Sequence, residues 1–418
     1  MLKRLLLNLV VICLGLAIIP ITLEIGLRFF PVFSGMPVNR ASAVYSFTPN
    51  TTIVRSANWD MSHTRQRQVN NAGFISDQVY DSTVKTPLIA IVGDSYIEAM
   101  QVDYPDTAEA NLLAKCSPNA RVYSFGAQFA PLSQYLSWVQ YAGQTYQPKV
   151  MVVNINGNDF DESLLSHQLE MHHGGVPGMQ FFDFSTGSAQ TVKVPFENES
   201  LFKQALRHSV LAQYLVRNVG VVNIFNDYRV RLSSLAKADD QAKKPAPASN
   251  QNPIAPSPSN TPAISSTAYI GAEKKISQAP ILSEYVGNAK RAYTPEKLQL
   301  SKRAVDTFLK QLPQAANLPA GSIVLSVDAE RPLIYTSEGQ HDLDSFFSVM
   351  RQYLLAQAKA QGFIVLDLRP AMIAQFSANG KRFEFDDDNH WNARGHQLMA
   401  QELYRLAAIN RLCTTRPD

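Results

Sequence analysis

The chain has 418 residues, enough for two or three units at roughly 150 residues per domain, or for one large α/β domain with insertions. Hydrophobic residues make up 45% and charged residues 17%, which provides for a large core and excludes wholesale disorder. The formal charge is +3, from 38 basic against 35 acidic residues, with no Lys/Arg run, so no nucleic-acid partner is expected; the three cysteines exclude a disulfide-built fold and form no CxxC zinc pattern.

The first element is an apolar run. From Leu5 to Leu23 only Asn8 and Thr22 are clearly polar, and as a helix the run covers about 28 Å. That approaches a hydrocarbon core of roughly 30 Å, with Pro20 tolerated near its end. Lys3 and Arg4 precede it, so residues 1–30 are predicted to be a single-pass transmembrane anchor with the rest of the chain exported. A cleaved signal peptide would need a shorter core and a small-x-small site, whereas this run ends Ile-Thr-Leu-Glu-Ile-Gly-Leu-Arg. Cys13 follows Ile12, where a lipoprotein site has a small residue, and is read as a lipid-facing or packing residue. Export leaves two readings for Cys116 and Cys413: a disulfide closing a long loop, or two separate buried thiols.

Residues 41–86 are mixed and polar and read as an extended lead-in. From Thr86 buried strands alternate with helices. The strands are LIAIVGDS (88–95), RVYSFG (121–126) and KVMVVNING (149–157), with helices around Ala108–Lys115 and over 132–146. Residues 161–237 form an insertion. It holds a Gly-rich turn region with His172 and His173, and a segment of helical spacing from Ser200 to Gly220. Residues 238–266, with six prolines between Pro245 and Pro262, are expected to be a disordered loop. The alternation resumes with a helix capped by Thr294, then SIVLSVDA (322–329), a helix over 343–361, FIVLDL (363–368) and a final helix from Asn392. Continuous Val/Ile runs between helices predict a parallel sheet covered on both faces. The expected domain covers 87–160 and 295–413: an α/β, doubly wound, flavodoxin-like sheet of five strands with the insertion after the third.

In such a sheet reactive groups collect at the carboxyl ends of the strands. The first strand ends in Gly93-Asp94-Ser95, a sharp turn that would set Ser95 where a helix begins. The third ends in Gly157-Asn158-Asp159, with an amide donor at the same edge. After the last strand comes Asp386-Asp387-Asp388-Asn389-His390. A serine nucleophile needs a base, and the base needs an acid to fix its tautomer. Of the eight histidines only His390 directly follows a carboxylate cluster. His396 falls inside the final helix and reads as a packing or capping residue, and His172 and His173 read as loop residues rather than metal ligands.

On IVGDSYIEAM, NINGNDF and Asp387-Asp388-Asn389-His390, the chain resembles the SGNH hydrolases, also called the GDSL esterase family. The upstream NNAGFISD, and Glu24-Ile-Gly-Leu-Arg28 at the end of the anchor, resemble membrane-anchored bacterial members. The resemblance covers 70–160 and 295–410. It implies Ser95 as nucleophile, His390 as general base and Asp387 as orienting acid, with Asp94, Gly157 and Asp159 in support. It also implies an oxyanion hole made by the Ser95 backbone N–H, the Asn158 side chain and a glycine after the second strand. Gly126 is available for that third donor, although aligning the strand and Gln134 puts Phe129 nearer the position. No cofactor and no metal are implied. The expected activity is that of a serine esterase on an ester-bearing envelope glycan, on the periplasmic side of the inner membrane. The alternatives are an O-acyltransferase working with a polytopic membrane partner, and a catalytically silent envelope scaffold or glycan-binding module.

Overall fold

The computed structural model describes residues 2–172, 175–196, 200–222 and 284–415. The 238–266 segment and His173 lie outside them. The chain divides into two units. The larger is built of residues 35–54, 65–198 and 273–418; the smaller of residues 1–34, 55–64 and 199–272.

The larger unit is an α/β domain around five parallel strands: β1 (Leu88–Gly93), β2 (Arg121–Gly126), β3 (Val150–Ile155), β4 (Ile323–Val327) and β5 (Ile364–Asp367). Their order is β5-β4-β3-β1-β2, the flavodoxin-like arrangement. β1, β3 and β4 are buried along their whole length, as parallel strands with both faces covered must be. One face carries the helices Leu132–Tyr146, Pro295–Ala316 and Phe346–Ala360. The other carries Ala108–Cys116, Arg369–Asn379, Ala393–Arg405 and Ala407–Thr414. Each fully buried Val, Leu or Ile adds roughly 1.5–3 kcal/mol of transfer free energy. Thr294 caps its helix as expected, accepting from Lys297 N at 3.1 Å.

The register fixes where the chemistry sits. Gly93 pairs with Gly126, Val92 with Val153, Ile155 with Val327, and Val327 with Asp367. The carboxyl ends of all five strands therefore share one edge, and Ser95 and Asn158 follow the neighbouring strands β1 and β3, between which the connection direction reverses. At Gly126 a side chain would meet Glu98 N at 2.6 Å and Asp94 O at 3.0 Å. The absence of that side chain lets the turn after β1 lie against the end of β2.

Cys116 and Cys413 are joined by a disulfide across 297 residues, which settles the two sequence readings in favour of pairing. The lead-in differs from the extended segment expected. It contains a hairpin, Thr52–Ala57 with Ser62–Gln68, and Phe47, Ile53, Val69, Phe74, Ile75 and Tyr80 are buried in the first core layer. The segment is polar on average, but these apolar residues are spaced to reach the core from a non-repeating backbone. Ser76, Gln78 and Tyr80 all donate to the buried Glu109 carboxylate, at 2.9, 2.6 and 3.2 Å, and Ser124 of β2 donates to its other oxygen at 2.9 Å.

The insertion is split between the units. Its first part forms the helix Leu165–His172, so His172 ends a helix rather than standing in a loop, and a hairpin of Gln180–Asp183 with Gln190–Lys193. The smaller unit begins with the helix Leu2–Leu27. Among the described residues no helix is long and apolar enough to cross a membrane. Among its described residues this unit also holds the hairpin tip and the helical segments Leu201–His208, Val210–Gln213 and Tyr214–Asn218.

Candidate active site

Ser95 opens a four-residue helix, Ser95–Glu98, directly beyond β1. The turn is held by Asp94, whose Oδ1 accepts from Tyr96 N at 3.0 Å and from Asn156 Nδ2 at 2.8 Å. Asn156 is fully buried, and its own backbone N–H donates to Asp159 Oδ2 at 2.8 Å. Tyr135 donates to the other oxygen of Asp159 at 2.9 Å. Asp94 and Asp159 are therefore linked beside the Ser95 turn through Asn156. Burial pushes the Asp94 carboxyl up to about 7, and burial together with the nearby Asp94 raises Asp159 well above the usual carboxylate range.

Ser95 Oγ lies 2.8 Å from His390 Nε2. On the far side of the imidazole, Nδ1 lies 2.5 Å from Asp388 Oδ1. The carboxylate that meets the imidazole thus belongs to Asp388, in place of the Asp387 expected from the Asp-x-x-His spacing. The cause is local. Asp388 Oδ1 also accepts from the backbone N–H of His390 at 3.0 Å, and this two-residue turn folds the carboxylate back under the ring. The side chains of His390 and Asp388 are 22% and 24% exposed, so the pair is half-buried rather than sealed from solvent.

A buried polar network holds the His390 loop and the Ser95 turn together. Arg331, four residues past β4, donates to the Asn389 carbonyl at 2.9 Å, to Tyr96 Oη at 2.8 Å and to Asp328 at 2.7 Å. Tyr96 donates to the same Asn389 carbonyl at 2.9 Å. Trp391 Nε1 donates to Asp328 Oδ1 at 3.1 Å. Tyr96, next to Ser95, is thus bonded to Asn389, next to His390. Sequence reading missed Arg331, Asp328, Tyr96 and Asn156. Of these only Tyr96 and Asn156 sit inside the motif blocks; Arg331 and Asp328 follow a strand with no motif to mark them.

Asn158 stands at the start of the helix Asp159–Glu162. Its amide nitrogen donates to Glu162 Oε2 at 3.1 Å, and its Oδ1 is buried without a hydrogen-bond partner. At Gly157 a side chain would collide with the Gly287 carbonyl and the Phe347 ring, so the sharp turn after β3 requires glycine. Gly126 ends β2 packed against the nucleophile turn, whereas Phe129 lies on the loop beyond, 44% exposed. Phe129 has φ of 64°, a left-handed conformation that a glycine would take more easily. His396 is buried in the final helix against Trp391, and burial pushes its imidazole down to about 3, in keeping with a packing role.

A cavity of about 220 Å³ is lined by residues that include Arg65, Asp103, Asp106, Phe385, Asn392 and Arg394, and neither Ser95 nor His390 lines it. Among the described residues no group of three or more His, Cys, Asp or Glu is placed to hold a metal ion.

Comparison with protein-family models gives no match, and comparison with curated proteins gives none either. Among solved structures the chain is similar to a member of the lipolytic protein G-D-S-L family from Veillonella parvula. The identity is 10%, over 77% of this chain and 97% of that one, with a TM-score of 0.34.

Proposed function

We propose that the chain is a serine ester hydrolase, with Ser95 as nucleophile, His390 as general base and Asp388 as its orienting acid. The observation that carries this reading is the hydrogen-bonded series Ser95 Oγ, His390 Nε2, His390 Nδ1, Asp388 Oδ1 at the carboxyl edge of the sheet. Ser95 Oγ bonds to the acyl carbon as its proton passes to His390 Nε2, and the carbonyl oxygen takes the negative charge. The backbone N–H of Ser95 and the amide of Asn158 are the proposed donors to that oxygen, with a third from the loop holding Gly126 and Phe129. Collapse breaks the ester C–O bond, and the alcohol leaves with the proton from His390. Water then repeats the sequence on the acyl-enzyme, releasing the acid and restoring Ser95.

The proposed setting is extracytoplasmic, with residues 1–30 as a membrane anchor. The apolar sequence run from Leu5 to Leu23 behind Lys3 and Arg4 supports the anchor, and the Cys116–Cys413 disulfide supports an oxidising compartment. An ester-bearing envelope glycan is the proposed substrate class, in line with the family resemblance.

The test is mass spectrometry of the full chain after exposure to a fluorophosphonate. A single label on Ser95, lost in His390→Ala, is the expected result. No label on a folded chain would sink the reading. Turnover of an acetyl ester with and without an added glycan acceptor then separates hydrolysis from transfer.

A further inference from the structure

The smaller unit carries a surface that the proposed chemistry does not use. The helix Leu201–His208 divides cleanly along its axis: Leu201, Ala205 and Leu206 share one arc, and Lys203, Gln204, Arg207 and His208 share the other. An amphipathic helix normally buries its apolar arc. Here Leu201 is 83% exposed, and every other described side chain from Lys203 to His208 is exposed as well. A helix of two turns gains little from propensity alone and relies on packing of its apolar arc.

This helix is tied to the end of the apolar N-terminal helix. Glu24, in the last turn of Leu2–Leu27, accepts from Ser209 Oγ at 2.8 Å and from the backbone N–H groups of Val210 and Leu211 at 3.1 and 2.8 Å. It also pairs with Arg28 at 2.8 Å. The hairpin tip joins the same construction. Asn218, buried, donates to Ser56 Oγ at 2.9 Å and to the Asn58 carbonyl at 3.2 Å, and accepts from Phe33 N at 3.1 Å. Tyr214 donates to the carbonyl of Trp59 at 2.8 Å. Three segments far apart in sequence are thus bonded together, and each presents large apolar side chains to the outside. Phe29 is 83% exposed and Trp59 71% exposed, and Leu206, Val216 and Val222 are exposed too.

We infer that this unit is a docking surface for the interfacial layer of an anionic lipid bilayer. The inference rests on the proposed membrane anchor. Three features select a lipid surface as occupant. The apolar residues continue directly from the end of the apolar helix, where a spanning helix would meet the headgroups. Trp59 is of the residue type enriched at that depth, and Phe29 and Phe30 add exposed apolar rings of the kind interfacial segments present. Lys203 and Arg207 share the polar arc of the amphipathic helix, which carries no acidic residue, a charge pattern that favours anionic headgroups.

The chain provides its own probe. Its three tryptophans are Trp59, Trp138 and Trp391, and the last two are fully buried in the larger unit. The full chain is reconstituted into phosphatidylcholine vesicles containing phosphatidylglycerol, with lipids brominated close to the headgroup, and tryptophan emission is recorded. A blue-shifted component quenched by the brominated lipid, and absent in Trp59→Phe, is expected. Leu201→Glu combined with Leu206→Glu is expected to reduce that quenching at least twofold while the protein still floats with the vesicles. Trp59 open to aqueous acrylamide and insensitive to brominated lipid, in a floating protein, would overturn the proposal. So would emission insensitive to both quenchers, which would mean that protein covers the surface. Quenching unchanged in pure phosphatidylcholine would overturn the anionic assignment, and failure to float would overturn both the anchor and the docking surface. Fluorophosphonate labelling of Ser95 is independent of all these outcomes, so failure here is distinct from failure of the hydrolase reading.

Discussion

Asp388 uses one oxygen for two donors, the ring and the backbone of the same histidine. Asp388→Asn should therefore lower kcat by about 10²–10⁴-fold, because the amide misorients the imidazole and removes the charge that stabilises its protonated form. Asp387→Asn should stay within about threefold of the parent. An equal loss in both variants would contradict the assignment. The hydroxyl of Tyr96 offers a finer probe, since Phe keeps the ring packed against Trp391, 5.0 Å away. Tyr96→Phe is expected to reduce kcat about tenfold with KM little changed, and its effect should not add to that of Arg331→Lys, because both act on the Asn389 carbonyl. Full additivity in that double-mutant cycle would separate the two. Spacing alone does not reveal these roles. Gly93-Asp94-Ser95 and His390 stand out by residue type, but the choice between Asp387 and Asp388 is made by a backbone turn. Arg331 is drawn into place by Asp328, Tyr96 and Asn389, which belong to three separate parts of the chain.

Among the elements, the strands were the most legible. β2 matches the sequence reading residue for residue, and β1, β3, β4 and β5 lie within their expected runs, because a strand buried on both faces is written as an unbroken apolar string. The helix Arg369–Asn379 was missed, and its only fully buried residue is Met372, too little to impose a period. The hairpin of Gln180–Asp183 and Gln190–Lys193 was missed as well, since four-residue strands with one mostly exposed partner leave little pattern. The lead-in shows a different difficulty: its order comes from long-range contacts, chiefly with Glu109. Burial pushes that carboxyl from 4.5 up to about 7, against the four hydrogen bonds that favour its charged form. Between those two values the folded state keeps a proton that the unfolded chain has lost. The group's stabilising share is therefore complete below about 4.5 and is lost as pH rises through 7, an effect of about 3 kcal/mol. Glu109→Gln should consequently show a smaller deficit in melting temperature at pH 8 than at pH 5, read by thermal unfolding. A deficit that grows with pH would contradict this account.

Across the whole molecule, the sequence carried the sheet domain and its interruption, but not the allocation of segments between two units. Residues 55–64 and 199–222 read as parts of a lead-in and an insertion, yet they belong with the N-terminal helix. Nothing in their composition announces that, because Glu24 and Asn218 select partners more than 150 residues away. The disulfide acts at the same scale. Cys413→Ser should lower stability by about 2–5 kcal/mol, seen as a lower denaturation midpoint, and a midpoint equal to the parent's would deny the bond a structural role. The bond also bears on proteolysis. Ser95 lies before the closed loop, while Asp388 and His390 lie within it, joined through Cys413 to the helix that ends at Cys116. A protease that cuts once anywhere between the two cysteines leaves both fragments covalently linked. The nicked protein should keep its mass on a non-reducing gel and part into two bands only under thiol, so a cut that interrupts the chain need not separate the serine from its base.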